Sequence, residues 1–305
     1  RYPLVTGVQT CALPIWSDTS GPGMIDLHTH SSASDGELSP SELIGLGKKT
    51  GLKALALTDH DTVEGIAEAR IKAVELGLDF IAGVEIEIDF DPGEFHLLGL
   101  GLDEKNPELL GALAELADAR AFRNEQIAVL FHQEGISIDL EEIGSLAGTR
   151  RIGRPHIAEA LFRKGLVRSR QEAFDKYLGK GRPFYLSKDC LALEKALRLI
   201  RGAGGLAVVA HPYSLFVGKP KLAALMDEWK TMGVAGIEAY HPAAKLGQCR
   251  ILERMGRQRG FLITAGSDFH GPKKPECGIG RSAGGLPIDD SYYGELVSFL
   301  SGSGA

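Results

Sequence analysis

Cysteine is scarce: four residues in a chain of 305, Cys11, Cys190, Cys249 and Cys277, with no Cys-x-x-Cys pair and none beside a histidine cluster. This argues against a disulfide framework and a thiolate metal site, and predicts free thiols in a reducing compartment, the cytoplasm. No apolar run approaches the ~18 residues a membrane span needs. Positive charge is not in excess. Lys and Arg number 34 against 40 Asp and Glu, a formal charge of −6 with a pI near 5.9. That balance argues against broad electrostatic binding of duplex DNA, but leaves a nucleotide substrate open if bound cations invert the local field. There is no internal repeat of fixed period, and nothing calls for an obligate protein partner.

What the chain has is a set of short apolar runs, each ending in metal-ligating side chains. They are Met24–His30, Ala54–His60, Phe80–Glu85, Leu206–His211, Gly236–His241 and Phe261–His270. Runs of this kind read as buried parallel strands. In a parallel α/β barrel all strand carboxyl ends share one face, which carries the active site. His28, His30, Asp35, His60, Glu85, His211, His241, Asp268 and His270 are therefore expected to converge. His28 and His30 fall on one side of an extended segment because strand side chains alternate. Asp35 returns on the turn before Gly36, Glu85 is suited to bridging two ions, and His211 and His241 each precede a Pro that stops the strand. Imidazole with carboxylate and no thiolate suits manganese, iron(II) or zinc.

Between these runs, Ser39-Pro40-Ser41-Glu42 forms a capping box for a helix through Lys49, which Gly51 ends. A strand at 54–57, a helix at 63–76 and strands at 80–84 and 95–100 follow, a rhythm that predicts a parallel sheet. From Pro107 to Leu178 the pattern is helical, with Leu109, Leu113, Leu116, Phe122, Ile127 and Leu130 on one stripe. Residues 1–23 fit none of this and read as a non-native or disordered appendage, with Met24 the natural start. Residues 24–103 and 187–305 read as two parts of one α/β barrel, 104–186 as an inserted helical lid, and the tail from Ser301 as frayed.

The motifs HTHSSASDG, LALTDHDT, GVEIE, AHP, AYHP and SDFH resemble those of the PHP (polymerase and histidinol phosphatase) superfamily, over roughly residues 24–102 and 187–290. Gly153-Arg154-Pro155-His156-Ile157-Ala158 and Gly179-Lys180-Gly181-Arg182-Pro183 resemble its stand-alone TrpH-like or RNase AM branch. The resemblance implies a distorted (β/α)7 TIM-like barrel and two or three divalent ions, Mn2+ first, with Fe2+ or Zn2+ as alternatives. It assigns His28, His30, Glu85 and Asp268 to a first ion. Glu85, His211 and His241 would hold a second, and Asp35, His60 and His270 a third. It also implies phosphoester hydrolysis of nucleoside 3′,5′-bisphosphates such as pAp (adenosine 3′,5′-bisphosphate), and of short oligoribonucleotides from the 5′ end.

A second phosphate needs a second anion site, and Arg154, His156, Lys180 and Arg182 are the candidates, Arg being suited to bidentate phosphate contacts. Asp59 or Asp61, beside a ligand histidine, is the candidate proton shuttle; the alternative is a carboxylate that orients the ligands. His96 is open to a metal role but reads better as a core residue or a support behind the ligands, His132 as an ordinary helix residue, and Arg150 and Arg151 as exposed charges. Phe184 and Tyr185 read as packing more than base stacking. Two rival functions remain. One is phosphomonoesterase action on another metabolite such as histidinol phosphate, which the large insert argues against. The other is a non-catalytic metal-dependent nucleotide sensor, which the complete ligand set argues against.

Overall fold

The structure, a computed structural model, describes residues 23–147, 152–187, 190–272 and 278–302. Residues 1–22, read above as an appendage, with Arg150, Arg151, Cys277 and the last three residues, lie outside them. Seven strands form one sheet in chain order: β1 (Met24–Asp26), β2 (Leu52–Leu57), β3 (Asp79–Ile88), β4 (Phe95–Leu100), β5 (Leu206–Val209), β6 (Gly236–Tyr240) and β7 (Leu262–Ala265). The strands are buried almost throughout, which is why they read as continuous apolar runs. Just past the strand ends, His30 N–H donates to Phe269 O at 2.9 Å and Asp268 N–H to His28 O at 2.9 Å, so the first and last strands meet.

The expectation of parallel strands fails at β4. It pairs antiparallel with both β3 and β5, while the other four pairings are parallel. The physical reason is the connection. Only the short turn between Ile88 and Phe95 joins β3 to β4, too few residues for the crossover a parallel pair requires.

Helix α1 (Pro40–Thr50) starts at the Ser39 capping box and stops at Gly51, whose φ of 86° needs no Cβ. With α2 (Ile66–Leu76) it covers one flank of the sheet. The other outer helices are α7 (Leu193–Gly202), α8 (Lys219–Met232), α9 (Leu246–Gln258) and α10 (Ser291–Leu300).

Between β4 and β5 lie α3 (Pro107–Gln133), α4 (Leu140–Ala147), α5 (Arg154–Arg163) and α6 (Arg170–Ala173), followed by a π-helical turn over Phe174–Leu178. Their own core comprises Ile127, Phe131, Ile143, Ile157, Leu161, Leu178 and Phe184 among others. The first half of α3 belongs elsewhere: Leu109, Leu113 and Leu116 pack into the main core with α7 and the sheet. One 27-residue helix thus links both cores. Its buried stripe runs through 109, 112, 113, 116, 123, 124, 127 and 131, so Phe122 is 65% exposed and Arg123 and Asn124 take the buried positions.

Candidate metal centre

At the ligand end of the sheet, side chains from six strands converge. His28 and His30 follow β1, His60 follows β2, Glu85 lies in β3, and His211, His241 and Asp268 follow β5, β6 and β7. Glu85 is fully buried at the middle. One oxygen lies 3.3 Å from both His28 Nε2 and His30 Nε2 and 3.1 Å from His60 Nδ1. The other lies 3.1 Å from His211 Nε2 and 2.9 Å from His96 Nδ1. Asp268 reaches His28 and His30 at 3.4 and 3.1 Å, and His241 at 3.4 Å. Asp35 lies 3.3 Å from His270 and 3.9 Å from His60.

Three sets of these atoms are close enough to share an ion: His28, His30, Glu85 and Asp268; His30, Asp35, His60 and His270; and His60, Glu85 and His96. The first two contain the sets that the resemblance assigns to its first and third ions. His211 and His241 form no three-residue set among the described residues; they meet the cluster separately, through Glu85 and Asp268.

The residues fit metal ions on two grounds. His28 Nε2, His30 Nε2 and Glu85 Oε2 are buried and make no hydrogen bond, although they crowd together. Groups so placed need a cation. The proton equilibria agree. Burial works to lower the pKa of His28, yet Glu238, Glu85 and Asp268 outweigh it and raise it well above 6.5. Burial likewise opposes the shift at His30, but Asp268 and Glu85 take it up to about 10. Burial takes neighbouring His60 down to about 3, despite Glu85 and Asp35. Glu85 is held well below the usual carboxylate range, burial being outweighed by His60, His28 and His96. Excess carboxylate charge thus forces protons onto buried imidazoles, a role that metal cations take over.

Other carboxylates hold the ligands in place. Glu238 of β6 is buried, accepts from His211 N–H at 2.8 Å and lies 3.0 Å from His28 Nδ1. Asp26 of β1 accepts from Ser267 N–H, Ser267 Oγ and Gly280 N–H, at 3.0, 2.5 and 2.7 Å. Asp59 is buried and accepts from Ser31 N–H, Ser31 Oγ and Ser34 Oγ at 2.8, 2.6 and 2.6 Å, which fixes the loop carrying His30 and Asp35. Asp61 is ion-paired with Arg120 of α3. Backbone strain gathers in the same place: Asp61, His211 and Asp268 all have positive φ.

Of the expected anion-site residues, Arg154 lines a cavity of about 230 Å³ together with Arg120 and Arg123, and with Asp35, His60 and His96 of the cluster. Its guanidinium also stacks 5.0 Å from the Tyr185 ring. His156 accepts from Gly153 N–H at 2.9 Å and lines a different groove, with Asp35 and His270. Lys180 is exposed and paired with Asp91, Arg182 is exposed, and neither lines these cavities. Phe184 is buried, 4.3 Å from Phe131 and 5.6 Å from Tyr177 between ring centroids. His132 is exposed. Four residues of the site were missed or placed behind it by sequence reasoning: Glu238, His96, Arg120 and Arg123.

The PHP domain family matches residues 26–177. A 3′,5′-nucleoside bisphosphate phosphatase of Chromobacterium violaceum is 33% identical over 89% of this chain and 96% of its own length. A 5′-3′ exoribonuclease of Haemophilus influenzae is 33% identical over 87% of this chain and 95% of its own. The chain belongs to the PHP-domain family. A solved amidohydrolase structure from Chromobacterium violaceum, with bound sulfate and no metal, superposes with a TM-score of 0.80 at 33% identity, covering 90% of this chain and 96% of that one. Among the described residues no helix is long and apolar enough to cross a membrane.

Proposed function

We propose that this PHP-domain chain is a metal-dependent phosphoesterase that removes the 3′-phosphate of nucleoside 3′,5′-bisphosphates, and trims short RNA from its 5′ end by the same chemistry. The seven strands with their joined ends are read as a distorted (β/α)7 barrel, and residues 104–186 as a lid over it. The observation that carries the substrate reading is the arginine-lined cavity beside the metal centre. Arg123 is buried, and its Nε and Nη1 make no hydrogen bond. Burial, with Arg154 and Arg120 nearby, lowers its pKa to about 10. Asp35, Glu87 and Glu94 line the same cavity and offset part of the charge, but the unbonded Arg123 nitrogens still call for an anion, and a planar fork suits phosphate. A substrate with one phosphate at the metal cluster and a second beside the arginines satisfies both sites. The relatives' named substrates, a nucleoside bisphosphate and RNA, agree with this reading.

Two or three divalent ions, manganese in the first instance, would be held by His28, His30, Asp35, His60, Glu85, His211, His241, Asp268 and His270, with His96 as a further candidate. Bound there, they supply an activated water and neutralise charge on the phosphoryl oxygens. The chain's own part is positioning. Glu238 orients His28, Asp26 holds the loop that bears Asp268, Asp59 holds the loop that bears His30 and Asp35, and Arg120 ties Asp61 to α3. Asp59 and Asp61 are therefore assigned to positioning in preference to proton transfer, since their oxygens are already committed.

The test is Arg154→Ala assayed on pAp and on 3′-AMP. KM for pAp is expected to rise at least tenfold, while KM for 3′-AMP moves less than threefold. Equal changes on both substrates would remove the arginine cavity from substrate recognition. The same comparison discriminates against a simple phosphomonoesterase.

A further inference from the structure

Phe216 is unexplained by the metal centre and the arginine cavity. It follows the 3-10 turn Pro212–Leu215, directly downstream of His211. Its φ of 52° and ψ of 31° lie in the left-handed region, which residues with a Cβ disfavour. The residue is 77% exposed. Strained backbone and a large apolar ring in water are both unfavourable, and glycine would relieve both. Strain retained at an exposed position beside a metal centre points to function.

The ring lines a cavity of about 400 Å³ whose floor includes His60, Glu85, His211, His241 and Asp268. The remaining wall includes Tyr213, Ala239, Ala243 and Leu252 with the carboxylates Glu94 and Glu238, and no Lys or Arg lines it. The cavity with Arg120, Arg123 and Arg154 shares His60, His96 and Glu94 with it. Carboxylates line both cavities, but the cationic forks lie in one and the Phe216 face in the other. We propose that Phe216 is the platform on which the nucleobase of the substrate stacks. This rests on the nucleotide reading above. Such a substrate has three parts to place, and the scissile and second phosphates already have sites. The base is the neutral, planar part that remains, and it matches an exposed ring. Because every base has a π-face, the platform confers affinity for bases with little preference among them.

The measurement is the ratio of KM for pAp to KM for ribose 3,5-bisphosphate, which carries both phosphates and no base, in the Mn2+-loaded protein. Phe216→Ala is expected to raise this ratio about tenfold with kcat for pAp within twofold of wild type. Phe216→Trp is expected to restore it. Phe216→Gly is expected to show the same loss of base discrimination with a melting temperature at or above wild type, since the strain is gone. A ratio unmoved by Phe216→Ala, or a Phe216→Gly protein that melts well below wild type, would overturn the inference while leaving the phosphatase reading intact. Failure of the wild-type protein to turn over either compound would bring down the nucleotide reading, and this inference with it.

Discussion

Glu238 illustrates at residue scale how the centre is organised. A carboxylate buried in an apolar strand is costly unless its charge is answered. Here His28 and the His211 amide answer it, and Glu238 itself lies below the usual carboxylate range, burial being outweighed by His28 and, to a smaller extent, by His241 and His211. Its contribution to the centre is orientation of the imidazole that faces Glu85. Removing such an orienting group typically costs 10–100-fold in metal affinity. Glu238→Ala is accordingly expected to weaken Mn2+ binding by about that factor in a calorimetric titration, and Glu238→Gln by less, because the amide oxygen still accepts one hydrogen bond. Unchanged affinity in Glu238→Ala would remove the residue from the centre. The approach is so close that Gly266 has no room for a side chain: a Cβ there would lie 2.2 Å from His28 Cβ and 2.6 Å from Glu238 Oε1. In sequence Glu238 was visible as a lone charge within Gly236–Tyr240, but a charge in a strand does not announce its partner 210 residues away.

At the scale of elements, what the sequence concealed has two causes. The ligands after β1, β2, β5, β6 and β7 were legible because apolar runs ended in His or Asp, and parallel strands put such ends together. His96 was not, because it sits near the start of β4. Only in an antiparallel strand does the start lie beside its neighbours' ends, with His96 opposite Glu87. The arginines were hidden by a phase error on α3. Taking Phe122 as part of the buried stripe pushed Arg123 off it, whereas the observed stripe runs through Arg123. Read with the correct phase, an Arg–Asn pair on a buried stripe is itself a signal of a polar site. Helix α5 makes a separate prediction. Its N-terminus is capped by the neutral ring of His156, which accepts from Gly153 N–H. Burial lowers that imidazole's pKa below 6.5. As pH falls, the unfolded chain takes up this proton before the folded one, so the stability from the cap is complete above pH 6.5 and is lost as pH drops towards the depressed folded value. Hydrogen exchange of the first-turn amides of α5, taken relative to its intrinsic rate at each pH, is expected to quicken from pH 7 to pH 5 in the wild type. In His156→Gln, whose amide caps without titrating, it should follow only the intrinsic pH dependence. Identical profiles would rule the His156 cap out as the titrating element.

For the molecule as a whole, the architecture turns one sheet into a place where distant residues meet. The ligands span residues 28 to 270, and chain-order pairing of seven strands brings them within a few ångströms. The helical segment between β4 and β5 supplies what the sheet does not: the arginines beside the cluster. Metal and arginines together define the proposed reaction, hydrolysis of a phosphate ester in a substrate carrying two phosphates. Its most direct test is phosphate release by protein loaded with Mn2+, and by the same protein stripped with chelator, from pAp, AMP, 3′-AMP and histidinol phosphate. Rapid release from pAp yielding AMP is expected, with at least tenfold slower release from the three monoesters and no release without metal. Equal rates on all four compounds, or tight nucleotide binding with no turnover in metal-loaded protein, would contradict it.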